Sequence, residues 1–159
     1  MNSGFVVLLL TLGIGVVAGL RSLTAPAVAA WAAHLGWINL QGSPLAFMGS
    51  VWAVAIFTVL AMIELVADQL PSTPARTAAV GLSARVVTGA LSGACLGIAG
   101  RGALWVAALA GALGGIAGAF GGYQTRVRLV RTLHVPDFAI AIPEDLVAIG
   151  LGLFLVSRL

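Results

Sequence analysis

IELVADQLPSTPARTAAVGLSAR, residues 63–85, sets ionisable groups and two prolines between two long apolar runs, and the reading of that interruption decides the fold. Glu64 and Asp68 are four apart, so on a helix they share a face. Pro71 and Pro74 end that helix, because proline lacks a backbone donor and disfavours α geometry in the residue before it. Arg76 falls in the connection, and Arg85 lies about two turns into the next apolar segment. The flanking runs are each about 20 residues, the length that carries a helix across a hydrocarbon core of about 30 Å. The stretch therefore reads as the turn of a transmembrane hairpin, with acids at the end of one span and an arginine inside the next.

The composition points the same way. Of 159 residues, 60% are hydrophobic and only 8% charged, against roughly 25% charged in a soluble domain. That is too little charge to cover a soluble surface. The expected class is all-α, a polytopic transmembrane helix bundle forming a single domain over residues 1–159. All 8 basic residues are arginine and the net charge is +3. So few, scattered charges set orientation in a membrane and exclude a nucleic-acid surface. Cys95 is the one cysteine, in glycine-rich apolar sequence, which excludes a disulfide framework and reads as an inert buried thiol. The first apolar run has no basic residue before it and no clear small-residue cleavage site, so it reads as a retained span.

Five spans are expected. The first covers 5–20 and is broken at Arg21-Ser22-Leu23-Thr24-Ala25-Pro26, since one helix over 5–37 would be about 50 Å long. Residues 26–37 continue it as a re-entrant or interfacial piece. Trp31, His34 and Trp37 suit a membrane boundary, with His34 a ring bonded to water or backbone. The other spans are 45–70, 79–100, 103–123 and 137–156. Gly89, Gly93 and Gly97 repeat every four residues in the third, as Gly114, Gly118 and Gly122 do in the fourth. Small residues at that spacing let helices approach closely in lipid. These two spans should form the tightly packed centre of the bundle or the seam of a homo-oligomer. Arg126, Arg128 and Arg131 read as a short loop, placed on the cytoplasmic side by its arginine excess. The Arg76 connection then shares that side, the connections at 38–44 and Arg101 face outward, the N-terminus is cytoplasmic and the C-terminus outside.

Counted inward from the cytoplasmic ends, Glu64, Arg85, Glu144 and Asp145 all fall roughly 10 Å below the boundary. Three spans thus deliver ionisable groups to one level, with Asp68 nearer the surface. Arg21 falls near the outer end by counting, yet the break beside it can turn it inward. In the last span, Pro143-Glu144-Asp145 sets two carboxyls where each costs about 2.5–3.5 kcal/mol if it faces lipid at mid-helix. At least one should point into the bundle, and as neighbours the two point about 100° apart. Glu144, with the longer side chain and Pro143 beside it, is the preferred coupling or substrate-facing group. Two accounts compete at this level. Either a carboxyl takes a proton or a cation, as ion-coupled sites require, or Arg85 pairs with one acid and the charges staple the bundle.

The segments RSLTAPAVAAW (21–31), ELVADQLPSTPART (64–77), GLSARVVTGALSGA (81–94) and PEDLVAIGLGLFLVSR (143–158) together resemble the bacterial membrane family catalogued as domain of unknown function 4126. The resemblance covers nearly the whole chain. It implies a small multi-pass inner-membrane protein and brings no catalytic residues with it. GIGVVAGLRS (13–22) and GGIAGAFGGY (114–123) are also loosely alike, as an inverted repeat would make them, although the acids fall at the end of the second span and the start of the fifth.

The expected function is a small transporter or channel whose path crosses the charge layer, coupled to protons or cations. The alternative is a structural or lipid-interacting membrane protein, or an assembly partner without transport. Membrane lipids and further copies of the chain are the expected partners. An intramembrane lipid enzyme would need Glu64 and Asp68 on a metal ion. The sequence has no acidic motif for Mg²⁺ and diphosphate, no His-rich zinc signature and no nucleophile with a matching base, so neither an enzyme nor a metal or other cofactor is expected.

Overall fold

The computed structural model describes residues 3–68, 77–136 and 138–159. Among these residues the regular structure is entirely helical: α1 Ser3–Leu20, α2 Thr24–His34, a 3-10 turn Ala46–Gly49, α3 Val51–Ala67, α4 Ala79–Ala99, α5 Leu104–Leu133 and α6 Phe138–Val156. α1, α4, α5 and the Ala139–Val156 part of α6 are long and apolar enough to cross a membrane, and α3 is a shorter apolar helix. The chain is a multi-pass membrane bundle, and the large apolar side chains on its outside, such as Trp52, Val80 and Trp105, have lipid as their solvent.

Local chemistry sets the helix ends. Ser50 is extended and its hydroxyl accepts the Ala53 N–H at 3.1 Å, satisfying one orphan donor of α3. The second span therefore starts at Val51 rather than residue 45, because Ala46–Gly49 turns as a 3-10 segment first. Its expected stops at Pro71 and Pro74, with Arg76, lie outside the described residues, as does Asp137. Pro26 occupies the first turn of α2, where a missing N–H costs no intrahelical bond.

The fourth span is corrected more strongly. Arg126, Arg128 and Arg131 do not form a loop: α5 runs for 30 residues, to Leu133, and the arginines ride on its last turns. Arginine, leucine and glutamine are good helix formers. Nothing breaks the pattern until His134, in left-handed conformation at φ 52, and Pro136 two residues on.

The centre consists of three helices. α1, α4 and α5 pack against one another more closely than any other elements. Gly89 and Gly93 of α4 lie against Gly111 and Ala107 of α5, and Gly97 also meets Ala107. Gly114 and Gly118 of α5 instead face α1, at Leu12 and Val16, where Gly15 and Gly19 answer them. Gly122 is buried beside a groove described below. The close approach these glycines permit is made within one chain. A Cβ at Gly93 would sit 2.6 Å from the Ala107 carbonyl oxygen and 2.9 Å from Gly111 Cα. Gly93→Leu is therefore predicted to cost about 3 kcal/mol through overpacking against backbone. An unchanged unfolding midpoint in detergent would contradict this packing.

These contacts also fix the helix directions. α1 is parallel to α5, since Gly15 meets Gly111 and Gly19 meets Gly115 and Gly118. It is antiparallel to α4 and α6, since Val7 meets Gly100 and Gly13 meets Leu155. Ser3, the Arg101 turn and Leu159 thus gather at one end of the bundle, opposite the Arg126–Arg131 segment. The expectation that the N-terminus shares a side with those arginines, and that the two termini lie on opposite sides, does not hold. The count failed because α1 turns at Arg21–Leu23 inside the bundle and the short α2, as a re-entrant piece, runs back toward the end from which α1 came.

Candidate functional site

That internal turn creates a problem which the surrounding helices solve. A helix end leaves several backbone groups without partners, and a dry interior supplies no water for them. Arg85 of α4, 5% exposed, attends to the end of α1: its Nε donates to the Gly19 carbonyl at 3.1 Å and its Nη1 to the Gly81 carbonyl of its own helix at 2.9 Å. Glu64 of α3 attends to the start of α2. Its carboxylate accepts the N–H groups of Ser22 and Leu23, each at 2.8 Å, and the Ser22 hydroxyl at 2.6 Å. The signs suit the helix dipoles, with a cation at a C-terminus and an anion at an N-terminus. Glu64 and Arg85 approach to 3.9 Å, so the two caps also attract each other.

Arg21 is fully buried, at 0% exposure. Its Nη1 donates to Asp68 at the end of α3, and its Nε donates to Asp145 of α6, whose carboxylate also makes an ion pair with Nη2. The planar guanidinium fork thereby bridges two acids on different helices, which a lysine could not match. Among the described residues these three side chains bond one another and no helix end. In this they differ from Glu64 and Arg85.

The neighbouring acid goes elsewhere. Glu144 pairs with Arg126 of α5 at 3.5 Å, because adjacent residues on a helix diverge by about 100°. The two border a groove between α1, α5 and α6. Glu64 thus meets Arg85 and Glu144 meets Arg126, whereas Arg21 alone is set between two carboxylates, Asp68 and Asp145.

Of the expected layer of Glu64, Arg85, Glu144 and Asp145, the structure brings Glu64 to Arg85, sets Asp145 with Asp68 on Arg21, and turns Glu144 to Arg126. Two assignments change. Arg21, ambiguous by counting, is the base on which Asp68 and Asp145 meet, because the turn at Ser22 brings it back to their level. Asp145, not Glu144, reaches that centre. Sequence reasoning missed Ser22 as a member and Arg126 as the partner of Glu144; the break at Arg21–Pro26 was the one sign that backbone donors needed an acceptor there. Glu64 and Asp68 share a face but serve different partners, Glu64 the Ser22 and Leu23 amides and Asp68 the Arg21 guanidinium. Among the described residues no group of three or more His, Cys, Asp or Glu side chains is placed to hold a metal ion. His34, at the other end, donates from Nδ1 to the Gly49 carbonyl at 2.9 Å, as a backbone-bonded ring should.

No curated protein and no solved structure matches the chain. The sequence matches the family described as Domain of unknown function (DUF4126) over residues 8–157, nearly its whole length. The chain belongs to that family.

Proposed function

We propose that the protein is a small carrier or channel of the bacterial inner membrane, coupled to protons or cations, with Arg21, Asp68 and Asp145 as its coupling centre. The observation that carries this reading is the fully buried Arg21 shared between two aspartates that no helix end requires. Desolvation costs several kcal/mol per ion, so well-packed apolar residues usually serve stability as well or better than such a cluster. Ionisable side chains kept inside a membrane bundle instead mark ion and substrate pathways. Two carboxylates on one guanidinium leave a negative charge that a proton or cation can balance. Its uptake at Asp145 loosens that acid from Arg21 and leaves the guanidinium to Asp68. Asp68 ends α3, a helix packed chiefly on α2 and the 3-10 turn, so the ion's presence biases the most peripheral span.

Purified protein in liposomes carrying a pH-sensitive dye is the test. Under imposed proton, Na⁺ or K⁺ gradients, dissipation beyond that of protein-free vesicles is expected for at least one ion. Vesicles that stay tight under all three would contradict the reading.

The arginines on the last turns of α5 favour a cytoplasmic position for that end. Ser3, Arg101 and Leu159 then face outward. In a Cys95→Ala background, an impermeant maleimide added to intact cells is predicted to label Ser157→Cys and spare Thr132→Cys. The opposite pattern would invert the orientation, and labelling of both would contradict their separation.

A further inference from the structure

Away from the Arg21 centre, the groove between α1, α5 and α6 encloses about 490 Å³, within the range of about 300–1,000 Å³ typical of ligand sites. It exists because α5 packs closely on α1 and α4 but only sparsely on α6. Gly118, Gly121 and Gly122 leave part of its α5 wall without side chains, Ala117, Thr125 and Leu129 complete that wall, and Val16, Ile140 and Val147 line the others. From Gly118 to Arg126 it runs about 12 Å along α5 at 1.5 Å per residue. That is most of one leaflet, which is half of a hydrocarbon core of about 30 Å. Its polar end carries Arg126, paired with Glu144, and Arg128 and Arg131 follow on the same helix.

We propose that this groove holds one acyl chain of an anionic glycerophospholipid, drawn from the leaflet at the Arg126 end, with the lipid phosphate at Arg126. The proposal goes beyond the carrier reading and does not depend on it. Length and charge argue together for this occupant. The groove is apolar over most of a leaflet's depth and then meets the last turns of α5, whose described residues carry three arginines and no acid, Arg126 being paired with Glu144 of α6. An apolar helix from a second copy would fit the walls and leave that cationic end unmatched. The phosphate would share Arg126 with Glu144, and arginines near an anionic headgroup contribute favourably one by one.

Native mass spectrometry of the protein in mild detergent, with added phosphatidylglycerol or phosphatidylcholine of identical chains, tests this. The parent is expected to retain phosphatidylglycerol about fivefold better, the effect of roughly one arginine at an anionic surface. A Cβ at Gly121 meets nothing within 4 Å, so Gly121→Phe fills the groove without displacing backbone. It is expected to cut retained phosphatidylglycerol about tenfold, equivalent to about 1.4 kcal/mol, with helix content unchanged; Gly121→Leu serves if the ring disturbs folding. Arg126→Gln should erase the preference between the two lipids while chain retention persists. Equal retention of both lipids by the parent would overturn the proposal. So would unchanged retention in a folded Gly121 variant, or loss of a protein dimer in place of lipid.

Discussion

Arg21→Leu is expected to lower stability by about 3–5 kcal/mol, the scale for removing one partner from a buried ion pair. The reason is what remains: Asp68 and Asp145 would face each other in a dry interior with no cation between them. Thermal unfolding in mild detergent should fall by roughly 10 °C, given about 2–4 °C per kcal/mol for a chain of this size. Arg21→Lys should fall between, since an ammonium restores the charge but cannot reach both acids in the geometry of a guanidinium fork. A Leu variant as stable as the parent would mean that Arg21 is not the hub of the cluster.

Asp145→Asn is expected to do the reverse, sparing stability and removing coupled flux. The amide oxygen still accepts from Arg21 Nε, and Asp68 then balances Arg21 one to one. What disappears is the surplus carboxylate that a proton or cation would occupy. Ion flux in liposomes should fall to that of protein-free vesicles while the unfolding midpoint moves little. Glu144→Gln should keep most of the flux, because Glu144 turns to Arg126 and away from the centre. If Glu144→Gln removed flux and Asp145→Asn did not, the coupling role would pass to Glu144, the assignment that side-chain length alone favours.

The two aspects of the protein differ in how far the sequence exposes them. Span lengths and glycine spacing are local properties, and they identify α4, α5 and α6 and the seam between α4 and α5. Gly15 and Gly19 of α1 sit at the same four-residue spacing, but nothing local says that they meet α5 rather than lipid. The α5 extension was hidden by a conflict of signals: its arginines mark a cytoplasmic end, and marking an end is not the same as leaving the helix. At the site, the depth of Glu64, Arg85, Glu144 and Asp145 follows from rise per residue, and of these the structure pairs Glu64 with Arg85. Arg21 is not legible in this way, because its depth depends on whether the break at Ser22 turns the chain back inside the bundle or at its surface. That choice is made by Glu64 and Arg85, which satisfy the two helix ends from other helices. Whether Glu144 or Asp145 faces the centre depends on the rotation of α6 about its axis, which packing sets.

The claim most in need of test is that Glu64 and Arg85 are structural caps, whereas Arg21, Asp68 and Asp145 are kept for ion coupling. Replacing all three members of the latter cluster with leucine in one variant separates the two roles. The measurement is ion flux per folded molecule in liposomes, made beside thermal unfolding of the same preparation. The account predicts a variant at least as stable as the parent, since apolar replacement of a complete buried ion cluster is often neutral or stabilising by about 1–4 kcal/mol, and with no protein-dependent flux. A variant that unfolds several kcal/mol more easily, or one that conducts as the parent does, would contradict it.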